Sequence, residues 1–185
     1  MNSHTQLSVI ARCRPTEGRF REYGFYELLS QDDKMLDLGC NNGFMLIYAA
    51  YLFGCQTVGV DHNEYTINIG KKCAEYLEVS KLVSLQSKTI QDFVHSKEER
   101  DFTKVISFAT HHTNDGGYRV EISDHLKLVH QLLKKSGLFF FETHMTHSSE
   151  ENQSFIIEEC GGLFKVIRNI YFQDTNRRFF LLKKI

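Results

Sequence analysis

From Lys34 onward the chain alternates short apolar runs with stretches whose apolar residues return every three or four positions, the pattern of strands and covering helices taken in turn. Runs expected as strands are Lys34 to Leu38, Thr57 to Asp61, Leu82 to Leu85, Lys104 to Phe108 and Leu138 to Phe141. The uninterrupted Leu138-Phe139-Phe140-Phe141 reads as a strand buried on both faces. Phe164 to Phe172 and Arg178 to Lys184 form two further strands joined by the turn-rich Gln173 to Arg177. Between them, Phe44 to Phe53 is apolar nearly all round, as a helix against a sheet should be, and Gly54 supplies its stop. Glu64 to Leu77 carries Ile67, Ile69, Ala74 and Leu77 among polar positions, and Thr89 to Val94 is a short helix or turn. Val120 to Leu133 places Ile122, Leu126, Val129, Leu132 and Leu133 on one stripe; Lys134-Lys135-Ser136-Gly137 is expected to end it. Asn152 to Cys160 makes a last helix before Gly161-Gly162. Ahead of all this, Phe20, Tyr23, Tyr26 and Leu29 predict one amphipathic N-terminal helix ending near Ser30.

This order of elements predicts an α/β fold: a doubly wound, seven-stranded, mainly parallel sheet with a C-terminal antiparallel hairpin and helices on both faces. At 185 residues the chain is expected to be a single domain, with residues 1–33 as an N-terminal helical segment and residues 34–185 as the sheet domain. The apolar and charged fractions are ordinary for a soluble protein, no run is long enough to span a bilayer, and Met1 to Arg14 lacks the apolar core of a signal peptide. A cytoplasmic location with no membrane partner is therefore expected. Cys13, Cys40, Cys55, Cys73 and Cys160 are odd in number and widely spaced, which points to reduced packing residues. A net charge of -1 gives no global pull toward nucleic acid. The cluster Arg12, Arg14, Arg19 and Arg21 reads as a solvated N-terminal segment.

The chemistry concentrates in Asp37-Leu38-Gly39-Cys40-Asn41-Asn42-Gly43-Phe44 and in Asp61 at the end of the following strand. An apolar strand runs into a glycine-bearing turn, the turn opens a helix, and the next strand ends on a carboxylate, the layout of an adenosine-binding βαβ unit. A dinucleotide fold needs glycine at the first, third and sixth turn positions; here they are Gly39, Asn41 and Phe44, which argues against NAD. Asn at the middle position is compatible with a left-handed backbone.

Asp37, Gly39 and Gly43 in this setting resemble the Asp-x-Gly-x-Gly-x-Gly motif of class I S-adenosylmethionine-dependent methyltransferases, a Rossmann-like superfamily, and the likeness runs from Lys34 to Ile185. The resemblance implies S-adenosyl-L-methionine as cofactor. The loop Asp37, Gly39, Cys40, Asn41, Asn42, Gly43 and Phe44 would pass under its methionine part, and Asp61 would hold the ribose hydroxyls, a carboxylate being able to accept from both. By position in the family pattern, His62, Thr89 and Ile90 would address the adenine ring, with Ile90 equally readable as plain core, and Phe108 would line the site. The N-terminal segment would close over the cofactor.

Ligands of open α/β sheets gather beyond the carboxyl ends of the strands. His111 and His112 follow the fourth strand, and Glu142, Thr143, His144 and His147 follow the fifth. A His-His pair at this place is similar to that of many small-molecule methyltransferases, so His111 or His112 is a candidate general base or acceptor-positioning group, with Glu142 as a further site carboxylate. Packing against the cofactor, or capping of the next helix, is the plain alternative for either histidine, and a simple pair with a neighbouring lysine or arginine is the equal alternative for Glu142. A divalent-metal site from His111, His112, Glu142 and His144 or His147 is a second alternative, although adjacent histidines on extended backbone point to opposite sides. Gly39-Cys40-Asn41-x-Gly43 together with Glu142-Thr143 also resembles tRNA wobble-uridine carboxymethyl transferases, which are longer and carry an arginine-rich surface that this chain lacks. The expected activity is methyl transfer to a small molecule or modified nucleoside. An RNA acceptor, or a non-catalytic cofactor-binding accessory role, stands as the rival.

Overall fold

Strand β1 (Lys34–Leu38) lies in the interior of a seven-stranded sheet, where four of its five side chains find cover on one face or the other. The computed structural model describes residues 15–96, 100–110, 121–143 and 150–185, the side chains of 150–152 excepted. In chain order the elements are α1 (Thr16–Tyr23), α2 (Phe25–Leu28), β1, α3 (Phe44–Phe53), β2 (Gln56–Asp61), α4 (Glu64–Tyr76), β3 (Val83–Ser87) and α5 (Ile90–Ser96). They continue as β4 (Phe102–Phe108), α6 (Ile122–Leu132), β5 (Leu133–Glu142), α7 (Glu150–Glu159), β6 (Phe164–Phe172) and β7 (Arg177–Lys184). The strand order is β3-β2-β1-β4-β5-β7-β6. Strands β1 to β5 are parallel, while β7 runs antiparallel to both β5 and β6. The expected doubly wound sheet with a closing hairpin is the one observed.

Each face has its own core, set by the period-two alternation of the strands. Leu36, Leu38, Val105, Phe139 and Phe141 face α5, α6 and α7. Met35, Ile106 and Phe140 face α1 to α4. Phe139, Phe140 and Phe141 are fully buried, as their unbroken apolar run requires.

Tertiary contacts shift several boundaries. The N-terminal helix is two helices, broken at Gly24 in the left-handed region (φ 76). Side-chain crowding adds to this, since a Cβ there would sit 2.4 Å from the Arg168 Nη1 of β6. Both pieces belong to the core: Tyr23 stacks on Phe179 at 4.1 Å and Phe25 on Phe140 at 4.3 Å. Helix α6 stops at Leu132, and Lys134 to Gly137 lie within β5, in an irregularity of its pairing with β4. The cation at the end of α6 comes from β7 instead, Lys184 Nζ donating to the carbonyls of His130 and Leu133 (2.5 and 2.6 Å). Cys40, Cys55, Cys73 and Cys160 are free thiols. Among the described residues no helix is long and apolar enough to cross a membrane.

Candidate functional site

Strand order reverses between β1 and β4, and the segments leaving their carboxyl ends, together with that of β2, meet there. The chain leaving β1 is tied to β2 at once: the amides of Gly39 and Cys40 both donate to the Val60 carbonyl, at 2.8 and 3.0 Å. Gly39 (φ 77), Asn41 (φ 54) and Gly43 (φ 68) all take left-handed backbone, so the turn needs residues that tolerate it. Gly39 has a second constraint, because a Cβ would lie 2.5 Å from Cγ2 of Thr110. Thr110, leaving β4, donates its hydroxyl to the Leu38 carbonyl at 2.9 Å.

Asp61 closes the unit. Its Oδ2 accepts from the Asn41 amide (2.8 Å) and its Oδ1 from the Asn63 amide (2.9 Å). Each oxygen therefore carries one backbone donor and keeps further acceptor capacity, in a side chain only 13% exposed. Those remaining acceptor sites are what the two hydroxyls of a vicinal diol, as donors, require. Asn63 also caps α4, its side chain accepting from the amides of Tyr65 and Thr66.

Asp37 is buried beneath the turn. Burial pushes its pKa up to about 7; the charge of Arg19 opposes this, and Asp61 adds to it. The Cys40 thiol is also pushed up by burial and by the two carboxylates, which makes it a packing group and not a nucleophile. Arg19 corrects the expectation of a solvated N-terminal arginine cluster. Its Cζ lies 6.0 Å from the centroid of the Phe108 ring, at the carboxyl end of β4, and its charge reaches Asp37. Arg21 does point outward, in an exposed pair with Glu17; Arg12 and Arg14 lie outside the described residues.

The other expected cofactor contacts are more dispersed. Phe44 is 39% exposed at the start of α3, and Asn42 Oδ1 accepts from its amide at 3.3 Å. His62 is exposed beside Asp61, with 3.8 Å between Nδ1 and Oδ1. Thr89 caps α5, exchanging hydrogen bonds with Asp92. Ile90 is buried in the core under α5, which leaves it little surface for a ring. Phe108 packs edge-on against Tyr23 at 5.1 Å.

On the acceptor side, Glu142 ends β5 almost wholly buried and paired with Arg177 Nη1 of β7. This makes the carboxylate the partner of an arginine brought from another strand. His111, His112, His144 and His147 lie outside the described residues. Among the described residues no group of three or more His, Cys, Asp or Glu side chains could hold a metal ion.

Several residues escaped the sequence reading. Gly70 of α4 lets the turn press directly on the helix, since a Cβ there would fall 2.1 Å from the Asn42 carbonyl oxygen. Gly59 of β2 does the same for Cys40, with 2.8 Å between an added Cβ and Sγ. An isolated glycine inside a helical or strand pattern is the signal that could have found both.

The methyltransferase-domain family model matches residues 29–169, well over half of the chain. No curated protein matches the chain in sequence. Among solved structures, a proposed S-adenosylmethionine-dependent methyltransferase from Listeria monocytogenes superposes with a TM-score of 0.68 at 18% identity, covering 91% of this chain and 99% of that one. Precorrin-6y C5,15-methyltransferase from Geobacter metallireducens gives a TM-score of 0.64 at 14% identity, covering 92% and 89%. A geranyl diphosphate C-methyltransferase from Streptomyces coelicolor gives 0.67 at 13% identity, covering 99% and 85%. These likenesses support the fold, and with the family match and the built turn the assignment is closed: the chain belongs to the class I S-adenosylmethionine-dependent methyltransferases.

Proposed function

We propose that this enzyme transfers a methyl group from S-adenosylmethionine to a small molecule or modified nucleoside, holding the cofactor on the turn from Asp37 to Phe44 and its ribose on Asp61. The observation that carries the reading is the paired seating of Asp61, one oxygen on the turn's Asn41 amide and the other on the Asn63 amide. A carboxylate fixed in this way presents its remaining lone pairs without further reorganisation, which is what recognition of two adjacent hydroxyls asks of it. Gly39 and Gly43 keep the turn free of side chains where the cofactor's methionine portion would lie.

The cofactor, when bound, supplies an electrophilic methyl group on a sulfonium. The protein's part is to orient the acceptor in line and, where the acceptor is protonated, to remove its proton. His111 and His112 directly follow the β4 exit in sequence and are the groups proposed for that task, with Glu142 holding Arg177 at the neighbouring strand end. The near-balanced net charge of -1 favours a small acceptor over an RNA backbone. The N-terminal segment, residues 1–33, is proposed to cover the cofactor site.

Calorimetric titration with S-adenosylhomocysteine tests the cofactor side. The wild type is expected to bind it and to ignore NAD, while Asp61→Asn weakens binding roughly 10- to 150-fold, a hydrogen bond to a charged group being worth about 1.5–3 kcal/mol. Wild-type protein that binds NAD and not the homocysteine product would overturn the reading. Methyl transfer from labelled cofactor into metabolite and tRNA pools then identifies the acceptor class, and a His111→Ala, His112→Ala double variant with unchanged turnover removes the histidines from the mechanism.

A further inference from the structure

Helix α3 is ten residues long and carries no charged side chain. A helix apolar all round belongs in an interior, yet only one side of α3 has a core to enter. Met45, Leu46, Ile47, Ala49 and Ala50 are buried, while Phe44, Tyr51 and Leu52 face outward. Helix α4 packs beside it and continues the pattern. Its buried side is formed by Ile67, Gly70 and Ala74. On the opposite side Tyr65, Ile69 and Tyr76 recur at helical spacing and form one exposed stripe.

These six side chains range from 39% exposed, at Phe44 and Ile69, to 86%, at Tyr76. Taking about 200 Å² for a fully open large side chain, they leave roughly 700 Å² uncovered. The largest apolar patch of a monomer is usually about 300–600 Å², whereas each partner in a stable interface contributes about 800 Å². The face therefore exceeds what a lone domain commonly leaves open and approaches one half of a dimer contact. Tyrosine suits such a place, since its ring buries apolar area while its hydroxyl finds a polar partner.

Charge decides what can cover it. Nucleic acid or a membrane surface asks for an excess of cations. Helix α3 contributes none, and the exposed charges of α4 are Glu64, Lys71, Lys72 and Glu75, two of each sign. A face balanced in this way meets its own copy without net repulsion, and antiparallel pairing about a twofold axis can set acids against lysines.

We propose that the outer face of α3 and α4 is the contact between two copies of this chain in a twofold-symmetric dimer, with Tyr51, Tyr65 and Tyr76 as its main anchors. The contact does not depend on which cofactor or acceptor the site holds. Helix α3 opens directly from the turn at Gly43 and α4 follows Asp61, so the contact runs from the carboxyl end of the sheet toward its amino end in each copy.

Sedimentation equilibrium of the full chain between about 1 and 200 µM is the test, a range that includes the weak end of what interfaces of this size give. The wild type is expected to associate to twice the monomer mass and no further, as a closed twofold contact requires. Tyr51→Glu and Tyr76→Glu each set a carboxylate from both copies into the contact, and each is expected to weaken association by about tenfold or more. Phe155→Glu, an exposed change on α7 at the other face of the sheet, is expected to leave it within about twofold. Melting curves establish that the variants are folded, and because Tyr51 and Tyr76 are exposed on different helices, either variant carries the comparison should the other not fold. A wild type that stays monomeric over the whole range overturns the proposal. So does a dimer that both tyrosine variants leave intact, or one that Phe155→Glu weakens to the same degree.

Discussion

Gly70→Ala isolates the contact between helix α4 and the cofactor turn. The added Cβ would lie 2.1 Å from the Asn42 carbonyl oxygen, 3.0 Å from the carbon of the same carbonyl and 2.6 Å from Leu85 Cδ1. Leucine can rotate away; backbone cannot. A carbon and a carbonyl oxygen come no closer than about 3.3 Å in comfortable contact, so turn and helix must separate by roughly 1.2 Å. Two energies then compete. Alanine improves the helix by about 0.8–1 kcal/mol over glycine, while forcing a methyl into a packed site costs about 1–3 kcal/mol. Global stability should therefore change little, with a net loss of at most about 2 kcal/mol. Binding has no such compensation. Asn42 is adjacent to Asn41, whose amide sits 2.8 Å from Asp61 Oδ2, and a displacement of that size carries it beyond hydrogen-bonding range. The expected result is a denaturation midpoint lowered by no more than that net loss allows, with a loss of S-adenosylhomocysteine affinity of about tenfold or more, as one charged hydrogen bond is worth. Calorimetry and urea denaturation on Gly70→Ala are read against Lys72→Ala, an exposed change on the same helix. A Gly70→Ala protein that gains stability and binds as wild type refutes the close approach of helix and turn.

Two further outcomes follow from buried polar groups. Asp37 has a folded pKa of about 7, raised above its unfolded value of 3.8, so its neutral form is the one the fold favours. The stability this confers is complete below pH 4 and declines as pH rises toward 7, by at most about 1.4 kcal/mol per unit. Asp37→Asn should abolish that share of the slope, and denaturation curves for both proteins between pH 4 and 7 that run parallel would contradict it. Lys184→Met removes the cation that closes α6 through the carbonyls of His130 and Leu133. Partial exposure places the loss at the low end of charged hydrogen bonds, about 1–2 kcal/mol or roughly 2–8 °C in melting temperature for a domain of this size. Lys183→Met, at an exposed neighbouring position, should change it by less than about 0.5 kcal/mol; equal effects in both would remove Lys184 from the cap.

The elements themselves were readable because each is dictated by neighbours in sequence. The unbroken burial of β1 and β2, the all-apolar α3 and the Phe139-Phe140-Phe141 run of β5 need only local pattern. The turn and Asp61 were readable for the same reason, since both belong to one βαβ unit. Where the reading failed, a distant residue decided. Lys134, Lys135 and Gly137 have the composition of a helix end, yet the cation that serves α6 is Lys184, and Gly137 lies where a Cβ would crowd the Lys134 and Thr103 carbonyl oxygens at 3.0 and 3.1 Å. The break at Gly24 lies in its left-handed backbone (φ 76), which the apolar spacing on either side of it does not reveal. That Glu142 pairs with a lysine or arginine was open in the sequence, but its partner Arg177 becomes visible only because β7 runs back beside β5.

The same distinction explains how the cofactor turn is built. Its sequence supplies residues that tolerate left-handed backbone, but tolerance alone leaves a turn many conformations. One conformation is selected by contacts from four separate elements: the Val60 carbonyl and Asp61 of β2, the bare backbone of Gly70 in α4, Thr110 at the exit of β4, and Arg19 of α1 acting on Asp37. A turn held from so many sides loses little further freedom when a ligand arrives, so more of the contact energy appears as affinity. Loosening any one support should therefore weaken cofactor binding before it unfolds the domain, because of the residues between β1 and α3 the two cores on the faces of the sheet draw on Cys40 alone.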